Sequence, residues 1–146
     1  MKRLAAAVLA LALIAPLAHA LEFRSVKETG VALYESPSIT GKKLFVVSRY
    51  YPVEVLGTQK EWARVRDATG GIAWIPAAAL STQRWLLVTA ERASVHASAS
   101  DTAPANFIVP KDGVVELVEP PRAGWVKVRH RDGSEGYAKI SDLWGL

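Results

Sequence analysis

The sequence predicts an all-β protein in which two small five-stranded barrels follow one another behind a cleaved export signal. Three observations support this prediction. The chain starts with an apolar segment that ends in a cleavage motif, most of the remainder repeats itself, and short alternating runs are separated by turn residues. No segment after residue 20 has a convincing helical period, so strands are expected to form the whole fold.

The first 20 residues have the three parts of a secretory signal. Lys2 and Arg3 give a positive start, Leu4–Leu17 is apolar, and Ala18–Ala20 is a small-x-small cleavage site. The apolar run is short for a membrane span, although an uncleaved anchor is the alternative. We therefore expect cleavage after Ala20, no membrane span after cleavage, and a periplasmic or secreted protein.

Composition narrows the possible partners. The chain has 18 basic and 14 acidic residues, and without Lys2 and Arg3 the balance is 16 to 14. No lysine or arginine run follows the signal, so nucleic-acid binding is not expected. The chain has no cysteine, so its stability has to come from apolar cores rather than from disulfides. The sequence leaves the oligomeric state open.

An internal repeat divides the chain after the signal. Phe45–Leu56 aligns with Phe107–Val118 at an offset of 62, as VALYESPS (31–38) does with ASVHASAS (93–100). After one inserted residue, WARVRDATGGIAWI (62–75) aligns with WVKVRHRDGSEGYA (125–138). Each copy reads as five short strands with turns between them, which is typical of a small barrel. The predicted domains are residues 21–82 and 83–146.

The turn and strand pattern of both copies resembles the bacterial SH3-like (SH3b) domains. Each copy has an alternating strand that enters a Ser/Pro loop, then an EW-V or GW-V strand, a glycine turn and an AW or GY strand. The resemblance implies an SH3-like fold and an exported module that recognises cell-wall peptides or protein partners. It implies no cofactor.

The resemblance also suggests which residues form a binding groove. The groove aromatics of eukaryotic SH3 domains correspond here to Tyr34 and Trp62, and their groove proline to Pro76, whereas two tyrosine positions hold Ser36 and Ala79. Strand alternation places Ala63 and Val65 inward, so Trp62 and Arg64 should point outward. Tyr34 and Trp62 could stack on a ligand or merely cover the barrel, and Pro76 could simply end a strand.

The second copy keeps less of the aromatic pattern. Trp125 matches Trp62, but His96 replaces Tyr34 and Lys139 replaces Pro76. Trp125, Lys127 and Lys139 would form a polar face suited to a peptide carboxylate, or an ordinary solvated surface. The candidate ligand-binding residues of the chain are therefore Tyr34, Trp62, Arg64, Pro76, His96, Trp125 and Lys127.

Catalysis and metal binding find little support in the sequence. His96 and His130 are the only histidines after the signal, and Ser94, Ser98, Ser100 and Asp101 are nearby in sequence. Nucleophilic catalysis needs a base that a third group orients, and two histidines without cysteine make a poor metal set. We expect a non-enzymatic module that binds a cell-envelope peptide, such as a peptidoglycan stem peptide. The alternative is a scaffold that docks a periplasmic protein. Trp85 and Trp144, outside both motifs, could seal the seam between the barrels, cap the ends, or contact a partner.

Overall fold

The computed structural model describes residues 21–146 and contains two antiparallel sheets of seven strands each. The predicted export signal, residues 1–20, lies outside the described residues. Within residues 21–146, no helix is both long enough and apolar enough to cross a membrane.

The first sheet contains residues from the first copy of the repeat. Its strands are β1 (Phe23–Val26), β2 (Val31–Tyr34), β3 (Lys43–Val47), β4 (Pro52–Gln59), β5 (Trp62–Arg66), β6 (Ile72–Pro76) and β7 (Leu80–Ser81), in the order β3-β2-β6-β5-β4-β1-β7. A 3₁₀ turn, Ala77–Ala79, joins β6 to β7.

The second sheet has the same plan. Its strands are β8 (Trp85–Val88), β9 (Arg92–His96), β10 (Ala105–Pro110), β11 (Val114–Leu117), β12 (Trp125–Arg129), β13 (Glu135–Lys139) and β14 (Leu143–Trp144), in the order β10-β9-β13-β12-β11-β8-β14. A 3₁₀ turn again precedes the last strand, at Ile140–Asp142.

The all-β fold and the repeat are confirmed, and each sheet has two strands beyond the five that were predicted. In chain order, the extra strands are the first and the last of each sheet: β1 and β7 in the first sheet, and β8 and β14 in the second. β1 and β8 lie before the repeated motifs, and β8 is buried along its whole length. It therefore lacks the alternation by which the other strands were found. β7 and β14 have two residues each, too few to show a period.

Each sheet closes around its own small core. The first core contains Val26, Leu33, Val47, Val53, Ala63, Val65, Ala73 and Ile75. The second contains Leu86, Val88, Ala93, Val95, Val109, Val115, Val126, Val128, Ala138 and Leu143. The cross-strand pair Ala63–Ile75 of the first core corresponds to Val126–Ala138 in the second. The large and small partners are exchanged between strands, which keeps the filled volume similar.

The repeat extends to individual hydrogen bonds in the loop that follows β2 and β9. Ser38 Oγ lies 2.9 Å from Thr40 Oγ1, and Ser100 Oγ lies 2.9 Å from Thr102 Oγ1. In both loops the threonine amide also donates to the serine Oγ at 3.3 Å. The two copies therefore share their loop conformation as well as their strands.

Aromatic rings join the two barrels. Trp85 begins β8 and stacks on Tyr50 of the first barrel, with ring centroids 3.8 Å apart and planes 18° apart. Phe23 of β1 meets Trp144 edge to face at 5.2 Å. The Trp85 amide also donates to Ser25 Oγ at 3.1 Å. Only Thr82, Gln83 and Arg84 separate β7 from β8. Trp85 and Trp144 thus belong to the seam between the barrels, the first of the three predicted roles.

Arg84 ties the connector to the far end of the chain. Its Nη2 donates to the Gly145 carbonyl at 2.6 Å, and its guanidinium lies 5.5 Å from the centre of the Phe23 ring. Burial, together with the neighbouring charge of Arg24, lowers the pKa of Arg84. The connector, β1 and the last residues therefore form one packed unit.

Trp85→Ala should destabilise both barrels together, because it removes the stacked ring from the seam. We expect the free energy of unfolding to fall by about 3–5 kcal/mol, the usual cost of truncating a buried tryptophan. Urea denaturation followed by circular dichroism measures this. Ile39→Ala, at a side chain that is 75% exposed, is the control and should change little. An unchanged denaturation midpoint for Trp85→Ala would show that the seam does not stabilise the two barrels.

Alkaline pH should lower the free energy of unfolding through the ionisation of Tyr51. Burial raises the pKa of the Tyr51 phenol above its ordinary value of 10.0, the Ala68 amide opposes this by donating to the phenol oxygen, and Asp67 and Asp112 raise the pKa further. The folded chain therefore holds this proton more tightly than the unfolded chain, so this stabilisation is complete below pH 10.0 and is lost as the pH rises through the folded pKa.

Tyr51→Phe should remove this part of the alkaline loss. Between pH 8 and 11 the unfolding midpoint of Tyr51→Phe should fall less steeply than that of the wild-type protein. Equal pH slopes for wild type and variant would show that Tyr51 does not contribute.

Candidate functional site

An aromatic pair stands at the same place on the outer face of each barrel. Tyr34 meets Trp62 with ring centroids 5.3 Å apart and planes at 85°, and His96 meets Trp125 at 5.5 Å and 89°. The replacement of tyrosine by histidine therefore leaves the geometry intact. Edge-to-face contact suits the charge distribution of aromatic rings and leaves part of each indole face uncovered.

Strand alternation builds these faces as the sequence predicted. In β5, Ala63 and Val65 are buried, whereas Arg64 is exposed and Trp62 half-buried. β12 repeats this order, with Val126 and Val128 buried and Trp125 and Lys127 half-buried. Of the seven candidate residues, the structure thus gathers Tyr34, Trp62, Arg64 and Pro76 on the first barrel, and His96, Trp125 and Lys127 on the second.

Two aromatic residues of these faces were not among the candidates. Trp74 pairs with Arg64 and Tyr34 across the sheet, and Tyr137 pairs with Lys127 and His96. Ile75, the neighbour of Trp74 in β6, is fully buried. The same alternation places Trp74 outward, so the signal that finds both residues was present in the sequence.

The larger groove lies on the second barrel, although the first barrel keeps more of the aromatic pattern. An open groove of about 790 Å³ borders Trp125, Lys127 and Tyr137, and its rims contain residues of two loops: Ala97, Ser98, Ala99, Glu119, Pro120, Arg122 and Ala123. On the first barrel, the groove beside Trp62 has about 320 Å³ and is bordered by Pro37, Gln59, Lys60 and Glu61.

The loop before the tryptophan strand accounts for this difference. In the first barrel β4 pairs with β5 up to Gln59 and Trp62, so a tight turn closes the hairpin. In the second barrel β11 ends at Leu117, the Val118 amide still donates to the Lys127 carbonyl, and residues 119–121 bulge out before Arg122 forms an isolated bridge with Trp125. Two prolines stand in this loop, and proline has no amide hydrogen to donate to a ladder. The residue inserted in the repeat lies in this region and lengthens the loop.

The second groove has a mixed charge. Lys127 Nζ lies 3.5 Å from Glu119 and 3.8 Å from Glu135, so neither carboxylate holds it in a short hydrogen bond. Glu135 is held more firmly by Arg129, whose hydrogen bond lowers the pKa of Glu135. Lys139 forms an ion pair with Asp101, which raises the pKa of Lys139, and its Nζ lies 5.8 Å from the centre of the Trp125 ring. Lys127 is thus less firmly held than Lys139.

The two histidines occupy different places and have different partners. His96 Nδ1 lies 2.8 Å from the Ala103 carbonyl oxygen, and His130 Nδ1 lies 3.3 Å from Asp132 in the β12–β13 turn. Within residues 21–146, neither imidazole ring hydrogen-bonds to a serine hydroxyl. In the same part of the chain, no group of three or more His, Cys, Asp or Glu side chains is arranged to hold a metal ion.

Comparison with solved structures finds partial similarities. NlpC2 from Trichomonas vaginalis is 18% identical, with a TM-score of 0.40, and the match covers 86% of this chain and 48% of that one. NlpC1 from the same organism gives 19%, 0.41, 88% and 47%. An NlpC/P60 family protein from Bacillus cereus ATCC 10987 gives 13%, 0.40, 84% and 56%. The chain thus spans about half the length of these structures. No curated protein matches the sequence.

Family comparison is more direct. Residues 29–81 match one family model of the bacterial SH3 domain, and residues 89–145 match another family model of the bacterial SH3 domain. The two matches correspond to the two sheets and to the two copies of the repeat. The chain belongs to the bacterial SH3 domain family and carries two such domains in tandem.

Proposed function

We propose that the protein is a non-catalytic module of the cell envelope and that its second barrel binds a carboxylate-bearing peptide, such as a peptidoglycan stem peptide. The observation that supports this most strongly is the groove beside Trp125, where an indole face, a weakly held ammonium group and two loops adjoin. In this proposal residues 1–20 direct export to the periplasm and are removed after Ala20, and the mature chain consists of domains 21–82 and 83–146.

The aromatic floor supports binding of a small extended ligand. Trp125 and Tyr137 present ring surface beside the methyl groups of Ala97 and Ala99. Such a floor suits short apolar side chains and the planar peptide bonds between them, while a few polar groups fix the orientation. In this proposal the first barrel, with Tyr34, Trp62, Arg64 and Pro76, adds a second and weaker contact face.

The cations support recognition of a carboxylate. Lys127 can exchange Glu119 for a ligand carboxylate at little cost in free energy, because its present ion pairs are long and partly exposed. Arg122 stands on the rim of the same groove and is exposed, so its guanidinium can form a two-pronged contact with the same group. His96 in this proposal supports the indole edge and does not act as a base.

A peptidoglycan pull-down tests the proposal. Purified sacculi should retain the wild-type protein, and Trp125→Ala should lower its affinity roughly 30-fold or more, as truncation of a central aromatic anchor does. Lys127→Gln should weaken binding roughly three- to tenfold, because one exposed ionic contact is lost. Trp62→Ala should have a smaller effect, and the double variant Trp62→Ala/Trp125→Ala should abolish retention.

Two controls make the outcome specific. Lys111→Gln makes the same change at an exposed lysine that does not border the groove and should bind like wild type. Circular dichroism must show each variant folded. Full retention of Lys127→Gln and of the folded double variant would show that this groove does not bind peptidoglycan. Clearing of a peptidoglycan zymogram by the protein alone would refute the non-catalytic role.

A further inference from the structure

The first barrel leaves an unusually apolar strand at the edge of its sheet. β3 pairs with β2 on one side, and within residues 21–146 no strand pairs with its other side. Leu44, Phe45 and Val46 on this strand are 41%, 39% and 60% exposed. An edge of this kind presents unpaired amide and carbonyl groups and is a template for a further strand.

A groove runs along this edge and ends against the second barrel. It has about 560 Å³ and borders the five consecutive residues Phe45–Arg49, together with Leu87, Gly113, Val114, Asp112 and Arg131 of the second barrel. Because successive side chains of a strand point to opposite faces, a groove that borders consecutive residues lies against the strand edge rather than on one face. Its far wall exists only because the seam fixes the second barrel beside β3.

The corresponding edge of the second barrel is protected, which makes β3 exceptional. β10 is flanked by Pro104 and ends at Pro110, and prolines on an edge strand prevent pairing because they lack an amide hydrogen. Phe107 of β10 also packs against His130, with ring centroids 5.9 Å apart. The residues that correspond to the two prolines in the first barrel are Lys42 and Ser48, so β3 lacks this protection.

Positive charge surrounds the exposed edge. Lys42, Lys43, Arg49 and Arg131 are all exposed, and none of them forms an ion pair within the described part of the chain. Arg49 and Arg131 border the groove, where Asp112 is the one acidic residue among those that the structure describes. This balance favours an acidic occupant, and it opposes pairing of β3 with a second copy, which would bring the two basic rims together.

We propose that β3 binds an extended acidic segment of a partner protein, which adds to the sheet as an eighth strand and occupies the groove between the barrels. Main-chain hydrogen bonds to β3 supply the affinity. The apolar side chains of the added strand contact Val46 on one face of the sheet, and its acidic side chains approach Arg49 and Arg131 on the other. This site shares no bordering residue with the Trp125 groove, so the proposal stands independently of peptidoglycan binding.

A designed peptide can test this site without knowledge of the natural partner. The probe is a blocked, fluorescein-labelled octapeptide of alternating glutamate and valine. Fluorescence anisotropy at low ionic strength should show saturable binding that weakens as salt is added. The octapeptide of alternating lysine and valine should not bind measurably. A glutamate–valine peptide N-methylated at alternate residues, which cannot form one row of hydrogen bonds, should also fail.

Variants locate the binding. Arg49→Glu and Arg131→Glu should each weaken binding roughly three- to tenfold or more, whereas Arg92→Glu makes the same charge change at an exposed residue away from the groove and should not. Amide resonances of β3 in ¹⁵N-edited NMR spectra should shift and gain protection from exchange when the peptide binds.

Three results would overturn the proposal. They are equal binding of the lysine peptide or the N-methylated peptide, wild-type affinity of Arg49→Glu and Arg131→Glu, and peptide-induced shifts confined to the Trp125 groove. A dimer in sedimentation that Val46→Lys dissociates would assign β3 to a second copy instead. Sacculus binding by Trp125→Ala is measured separately, so failure of one site can be distinguished from failure of the other.

Discussion

The stack of Trp85 on Tyr50 is the contact on which the arrangement of the two barrels depends. Each barrel has a core of eight to ten buried residues, close to the lower limit for a domain that folds alone and has no disulfide. The seam adds buried aromatic surface where neither core can grow. It also places Asp112 near enough to Tyr51 to affect the pKa of that phenol, and it sets the second barrel as one wall of the groove along β3.

The two barrels use one backbone plan for different surfaces. Their buried strands, 3₁₀ turns and Ser–Thr loops correspond closely, and both retain an edge-to-face aromatic pair. The two barrels differ at one edge strand and at the loop before the tryptophan strand. The first barrel leaves its edge strand open and closes the hairpin beside Trp62, whereas the second protects the edge with proline and opens the loop beside Trp125. The two proposed binding sites, the groove along β3 and the groove beside Trp125, therefore lie on different parts of the shared plan.

Most of the fold could be predicted from the sequence because strand alternation and turn residues repeat at a constant spacing. That pattern located ten strands and the outward direction of Trp62 and Trp125. It did not locate β1, which precedes the repeat, β8, whose four residues are all buried, or the two-residue strands β7 and β14. The same alternation also predicts that Trp74 and Tyr137 point outward. The relative size of the two grooves could not be predicted, because it depends on whether a loop stays hydrogen-bonded to the sheet, and residue types alone do not determine that.

The loop 118–124 has a consequence for how this protein can change. It borders the Trp125 groove, yet none of its residues belongs to the second core, and Ala123 and Gly124 adopt the left-handed conformation before β12. Its length and composition can therefore vary with little effect on folding. Under the proposed function, binding preference and stability are therefore largely separate properties of this barrel, and a change in the loop alters the ligand without altering the core.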